Sequence, residues 1–511
     1  MFLKKVKIKK RYERQKQKNR KFYIKTSKSL NKESLKMLTK SATSAEGFMK
    51  IICENLEIEK DMQDLVNLFY SEEDCEFSIE HTSSQEDDKV TSTIVIDGKE
   101  YVKTFFVDKN VSDLLKKSLR KRNFKNHLYE VLSEKSGKSL PWGSLTGVRP
   151  TKFARDLVER GEIKPHLISE TLVRDYHLSN DKAKLVVQIL QNQNCIIKND
   201  KLVDLFINIP ICPTRCNYCS FISNELCTVL DKVDTYLDCV LKELEAVKKI
   251  VADKCYIVRT IYIGGGTPTV LTEAQLDRLL SQINYPVTEF TVECGRADTI
   301  TRRKLEILKK HNVTRISINP QTFCEATLKR IGRKTTNQQI FDAYMLAMEY
   351  NFVVNMDIIA GLTDERFGIF KRTIKTLLEL YPQNITVHTL SIKNASQIRG
   401  QEQKFENDVP KMIDFAEKTL IENGYKPYYI YRQKHQLGGL ENVGFYRDND
   451  VCVFNVDSME DTSSVIAVGA GAISKRVFNL ENRIERQPNC KFINDYIDRI
   501  DEMIEKKKNF F

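Results

Sequence analysis

Residues 205–223 read LFINIPICPTRCNYCSFIS, and how this stretch is understood decides the fold around it. The strand-like run 205–209 stops at Pro210, and Pro213 follows; neither can donate to a sheet ladder, so the segment beyond is a loop. On that loop stand Cys212, Cys216 and Cys219, with the spacing C-x3-C-x2-C. Three soft thiolates on one turn suit iron–sulfur ligation and leave one corner of a four-iron cube without a protein ligand. An iron with an open position can bind a small chelating molecule. A structural zinc loop is the competing reading, but zinc usually takes four ligands, often as two C-x2-C pairs, and no second pair lies near this one.

Downstream the rhythm is strand, turn, helix, repeated. Strand-like runs at 259–263, 287–292, 313–318, 353–359 and 385–392 alternate with helix-compatible segments such as 231–251, 272–283 and 365–379. With 205–209 these make six βα units, which means a parallel sheet with helices outside, open or rolled into a barrel. In a barrel, functional residues collect at the carboxyl ends of the strands.

The unusual residues fall there. The second strand ends in GGGTP, residues 264–268, whose missing side chains let the backbone approach a ligand closely, although a glycine run by itself commonly means only a tight turn. The third strand ends at Glu293, a carboxylate able to accept two hydroxyl hydrogen bonds. The fourth ends in SINPQ, with Gln321, and Arg333 follows one helix later. The fifth, VVNMDIIAGL, places Asn355 and Asp357 in an otherwise apolar strand, where both need partners, from the protein or from a ligand.

At 511 residues with 29% charged and 41% hydrophobic, the chain is a multidomain globular type, with no apolar run of the ~20 residues a bilayer span needs. The formal charge of +12 is confined to the start: 16 Lys and Arg against three Glu lie in residues 1–46, and the other 65 basic and 66 acidic residues nearly cancel. The body therefore carries no general signal for nucleic acid. Thirteen cysteines, ten of them scattered singly, argue against a secreted disulfide framework and for reduced thiols in a cytoplasm, an oxygen-poor one if a cluster is present.

Residues 1–48 read as a basic, disordered extension. Residues 49–110 read as a small α+β module with a hairpin at Asp97-Gly98, and 111–203 as a helical segment. Within the latter, LPWGSLTGVRPTK holds the only tryptophan, Trp142, whose large ring suggests a docking seam. The six units occupy 204–395, and 396–511 reads as a C-terminal, substrate-side domain.

The cysteine loop, GGGTP, Glu293 and Gln321, joined by WGSLTGVRPTK, TVECGR, SINPQT, NMDIIAGL, YRQKHQLGGLENVGF and GAGAISK, resemble the radical SAM superfamily and, within it, the oxygen-independent coproporphyrinogen III oxidase-like group in its HemZ branch. The resemblance runs from about Met49 to the end. It implies a partial (β/α)6 radical SAM barrel with an N-terminal α+β and helical region and a smaller C-terminal α+β region. It implies a 4Fe-4S cluster on Cys212, Cys216 and Cys219, and S-adenosyl-L-methionine contacted by Tyr218, Gly265, Gly266, Thr267, Glu293, Gln321, Arg333 and Asp357. The implied reaction converts propionates of coproporphyrinogen III to vinyls through a 5′-deoxyadenosyl radical. The implied partners are a tetrapyrrole substrate and a one-electron donor such as flavodoxin or ferredoxin. Such a substrate needs cations, for which Arg432, Lys434, Lys475 and Arg476 are the candidates.

One departure separates the chain from the founding oxidases, which carry a further cysteine two positions after the third ligand; here Phe221 stands there. The haem-trafficking relatives share that gap, but their HNxxYW signature is absent from this sequence. A haem-binding or haem-delivery protein, and a radical methyltransferase or ring-opening enzyme acting on a tetrapyrrole, are the alternative functions.

Overall fold

The computed structural model describes residues 50–53, 56–70, 78–108, 110–146, 149–221, 223–393, 396–399, 405–433, 436–479, 481 and 483–511. The basic extension at 1–48 lies outside them. The chain divides into two compact units, 1–136 and 137–511.

In the first unit, β1 (Lys50–Cys53), β2 (Ser78–Glu86), β3 (Lys89–Ile96) and β4 (Lys99–Phe106) form one sheet in that order. The β3–β4 hairpin turns at Asp97 and Gly98, both with positive φ, the conformation a two-residue hairpin turn with matching twist requires. Alternate residues of β3 are buried beneath helices Leu56–Phe69 and Asp113–Ser136, whose Phe69 and Tyr129 rings meet edge to face at 5.5 Å. Helix Asp113–Ser136 thus belongs with this sheet, and the division falls after Ser136 rather than at 110. Its apolar positions are answered by the sheet, which the period-3.6 pattern cannot reveal.

The second unit opens with helices Pro150–Glu159, Ile168–Tyr176 and Asn180–Asn192. Strand β5 (Leu202–Ile209) follows, and then the short β6 (Ile211–Cys212) and β7 (Asn224–Glu225). Strands β8 (Ile257–Gly265), β9 (Glu289–Glu293), β10 (Arg315–Ser317), β11 (Val353–Ala360) and β12 (Asn384–Thr389) continue the parallel run begun by β5, each joined to the next through helix. These are the six expected βα units.

Residues 396–511 do not form a separate domain. Strand β14 (Asn442–Tyr446) adds antiparallel to β12 and carries β13 (Lys426–Tyr431), while β15 (Ser464–Val468) adds parallel to β5 and carries β16 (Ile473–Phe478) and β17 (Arg483–Pro488). One sheet of 11 strands results. The six parallel strands would otherwise present two bare edges with unpaired N–H and C=O groups, and the C-terminal strands cover both.

Helix Val453–Glu460 fills the interior at the amino ends of the strands. Phe454 stacks on Tyr262 at 4.4 Å and on Phe206 at 6.1 Å. Around it buried charges pair: Arg259 with Asp457 at 2.7 Å, and Arg315 with Glu289 at 3.2 Å. The opposite, carboxyl end is left open.

Trp142 is 1% exposed, and its Nε1 donates to Glu441. Lys182 Nζ lies 2.8 Å from Glu417 and also pairs with Glu441, and Arg432 stacks over the Trp142 ring at 5.3 Å. The WGSLTGVRPTK stretch is therefore a seam between the leading helices and the β14 end of the sheet. Its later residues bind the other side of the interior helix, through Arg149 to Asp461 and Thr151 to Glu460.

Candidate active site

The cysteine loop is closed at its base by β6 pairing with β7 and is clamped by neighbouring turns. Asn217 N donates to Ile331 O at 3.1 Å, Gln397 N to Asn217 O at 2.8 Å, and Arg296 Nη1 to Thr214 O at 3.3 Å. Cys219 N donates to Cys216 O at 3.1 Å, which tightens the turn between the last two thiols.

Burial pushes the Cys212 thiol up, even though Thr267 Oγ1 donates to its sulfur at 3.7 Å. Burial likewise pushes Cys219 up to about 11. Thiols in that state become thiolates when a bound metal's charge displaces their protons. Among the described residues, no group of three or more Cys, His, Asp or Glu is placed to hold a single metal ion. The three thiols instead share one cavity wall, an arrangement that suits a cluster in which each thiolate takes its own iron.

The GGGTP turn lies against this loop. Gly266 N donates to Ile209 O at 2.9 Å and Thr267 N to Ile211 O at 2.8 Å. A Cβ on Gly266 would sit 2.5 Å from Ile211 O, so a glycine is required for the two loops to meet.

Glu293, at the end of β9, accepts from Tyr262 Oη at 2.6 Å and from Gly265 N at 3.2 Å. Burial raises its carboxyl to about 7. Asp357, on β11, is half-buried, but His388, Asn355 and Thr386 outweigh its desolvation and hold it below the usual carboxylate range. Asn355 Nδ2 donates to Asp357 at 2.7 Å, and His388 Nε2 lies 3.6 Å from it. Gln321 has φ +66°, unusual for a side-chain-bearing residue, and is fixed there by bonds to β11: Gln321 N to Asp357 O at 2.9 Å and Ile359 N to Gln321 O at 3.0 Å.

Arg333 reaches back from the fourth unit. Its guanidinium donates to Gly295 O at 3.3 Å, to Asn319 O, and to Tyr218 Oη at 3.4 Å. Its Nε is buried without a partner, an unmet donor at a site that must supply one from outside the chain or forfeit a hydrogen bond.

All eleven of these residues, Cys212, Cys216, Cys219, Tyr218, Gly265, Gly266, Thr267, Glu293, Gln321, Arg333 and Asp357, line one cavity of ≈ 350 Å³ at the carboxyl end of the parallel strands. The donor set fits an iron–sulfur cluster with a polar cofactor beside it: three thiols, a glycine turn that exposes backbone, two carboxylates and an unmet guanidinium donor.

Three of the four cations expected to meet a substrate are elsewhere. Arg432 is buried against Trp142 and donates to Leu145 O and Gly439 O. Lys475 pairs with Asp461 at 3.0 Å, and Arg476 donates to Phe510 O at 2.7 Å. Lys434 lies outside the described residues. The reason on β13 is strand parity: Tyr429, Tyr431 and Gln433 line the cavity, so Arg432 points to the other face. The sequence reading missed His388, Tyr429, Tyr431 and Lys393. The alternation in YYIYRQ contained the first step to them, once the face turned to the cavity is known.

The chain matches the family model described as the Radical SAM superfamily over residues 207–377. It is 32% identical over 478 residues to the oxygen-independent coproporphyrinogen-III oxidase-like protein HemZ of Bacillus subtilis, covering 88% of this chain and 95% of that one. It is 28% identical over 262 residues to the heme chaperone HemW of Lactococcus lactis, 47% of this chain and 66% of that one. Among solved structures it is similar to coproporphyrinogen III oxidase (HemN) from Escherichia coli, with TM-score 0.46 and 22% identity over 63% of this chain and 73% of that one.

Proposed function

The chain belongs to the HemN/HemZ-like group of the radical SAM superfamily, and on that footing we propose that it oxidatively decarboxylates propionate side chains of coproporphyrinogen III to vinyls without oxygen. Each conversion removes one hydrogen atom, one carbon dioxide and one electron, the last passing to a one-electron acceptor. The observation that carries this reading is the convergence of all eleven expected ligands on one cavity.

The group's cofactors are a 4Fe-4S cluster and S-adenosylmethionine, which together supply a 5′-deoxyadenosyl radical that takes a hydrogen atom from the substrate. Cys212, Cys216 and Cys219 would hold the cluster. Arg333 would hold a carboxylate through its unmet Nε–H, and Glu293 and Gln321 would hold hydroxyls. Tyr218 would pack beside the thiols, Gly265, Gly266 and Thr267 would offer backbone groups, and Asp357 would accept from a donor of the same cofactor.

The test is formation of 5′-deoxyadenosine by anaerobically reconstituted protein: coproporphyrinogen III should stimulate it, and a non-porphyrin acid should not. A second reading, a haem carrier, is favoured by one residue. Phe221 stands where the oxidases have cysteine, and part of the chain is similar to heme chaperones. Such a protein would take up haem one to one and leave coproporphyrinogen III unchanged.

A further inference from the structure

Two residues on the cavity wall have no part in the cofactor set described above. Phe221 follows the last thiol of the loop; its backbone N–H donates to Cys219, while its ring is 66% exposed. Lys393, just beyond β12, is half-buried and lines the same cavity. Both therefore stand on one wall with the thiols.

The other cations of this wall are occupied. Arg296 forms a fork with Asp298, 3.0 Å for each arm; Arg333 donates to Gly295, Asn319 and Tyr218, and its remaining Nε–H is the donor proposed above for the cofactor. Arg215 is engaged as well. Among the described residues, Lys393 Nζ is the wall's one cation with neither hydrogen bond nor ion pair. A half-buried ammonium without a partner loses hydration and gains nothing for it until an anion arrives. An exposed phenyl ring on a concave wall is likewise matched by an apolar, flat visitor.

We propose that Lys393 and Phe221 are the substrate-recognition pair of this cavity, Lys393 Nζ taking a carboxylate and the Phe221 ring covering the apolar face of the same molecule. The pair replaces Arg432, Lys475 and Arg476 in the part that the sequence assigned to them. It rests on the tetrapyrrole reading above, because a polycarboxylate macrocycle presents both features at once, whereas a small acid presents only the first.

The test is a spectroscopic titration of the reconstituted full-length protein with coproporphyrin III and, separately, with its tetramethyl ester. Lys393→Ala should weaken binding of the free acid about tenfold, the scale of one charge-assisted hydrogen bond, and leave the ester unmoved. Lys393→Arg should restore most of the loss, and Phe221→Ala should weaken acid and ester alike. S-adenosylmethionine binding should be unchanged in the Lys393 variants. The proposal is overturned if Lys393→Ala binds the acid as the unaltered protein does, or weakens acid and ester equally, or loses S-adenosylmethionine instead. If the unaltered protein binds neither porphyrin, the tetrapyrrole reading itself has failed, a result distinct from any of these.

Discussion

His388 and Asp357 face one another from neighbouring strands, Nε2 to carboxylate 3.6 Å, inside the cavity that also holds the three thiols. Tyr431 Oη meets the other ring nitrogen of His388 at 3.3 Å, so the imidazole is held at both ends. Burial alone would drive Asp357 to its neutral form, and His388 is the first of the groups that prevent this. Asp357 is therefore kept ionised, as the cofactor role proposed for it requires, by a residue that does not itself need to touch the cofactor.

Replacing His388 by alanine should leave a half-buried carboxylate short of a partner. We expect a loss of about 1–3 kcal/mol in urea unfolding and about tenfold weaker S-adenosylmethionine in equilibrium dialysis. His388→Gln, which can still donate, should recover part of both.

Glu293 gives the opposite sign. In the folded chain its carboxyl ionises near 7, against 4.5 when unfolded. The unfolded state gives up its proton first, so folding loses stability as pH rises from about 4.5 to about 7 and stays at that lower level above, by about 1.4 kcal/mol per pH unit crossed. Glu293→Gln should remove this penalty. The variant is expected to melt higher than the unaltered protein at pH 8 and to converge with it near pH 4.5, while losing affinity for the cofactor.

In the N-terminal unit, His81 and His127 flank the Ser92 hydroxyl at 3.1 and 2.9 Å, and all three are buried. Burial, aided for His81 by the neighbouring His127, depresses both imidazoles to about 4. Unfolded histidine binds a proton near 6.5, so the stability of this unit should be whole above that pH and decline as pH falls from 6.5 towards 4. Hydrogen exchange of the β3 amides, compared at pH 7.5 and 5.5, checks it: exchange corrected for intrinsic rate should quicken at the lower pH, and His127→Gln should flatten the difference.

The Trp142 seam rests on Lys182, whose ammonium is 4% exposed between Glu417 and Glu441. Lys182→Met would strand two carboxylates beside one another, at a cost of about 3–5 kcal/mol. Chemical denaturation should show that loss, and Lys182→Met combined with Glu441→Gln should regain part of it.

The cavity was legible in the sequence because its residues break a pattern. Cysteines among two prolines, three consecutive glycines, and Asn355 and Asp357 within an apolar strand each violate what a buried parallel strand wants; the first two lie at carboxyl ends and the last pair inside β11, facing the same cavity. The six units were legible for the converse reason, since their strands keep the pattern. What escaped was set by pairing between distant segments. Nothing local in 464–468 says that this strand joins β5, or that 442–446 joins β12, so the C-terminal region read as a domain of its own. The substrate cations failed for a related reason. Arg432 was chosen for its charge, but a strand residue's direction depends on register, and on β13 the register gives the cavity to Tyr429 and Tyr431.

The central claim is that this cavity turns propionates into vinyls. It is tested most directly by mass analysis of the porphyrins left after anaerobically reconstituted protein has acted on coproporphyrinogen III with S-adenosylmethionine, a reductant and a one-electron acceptor. The account predicts product in which two propionates have become vinyls, with 5′-deoxyadenosine formed in step and both absent in Cys216→Ala. Recovery of unchanged coproporphyrin from protein that cleaves S-adenosylmethionine normally would contradict it.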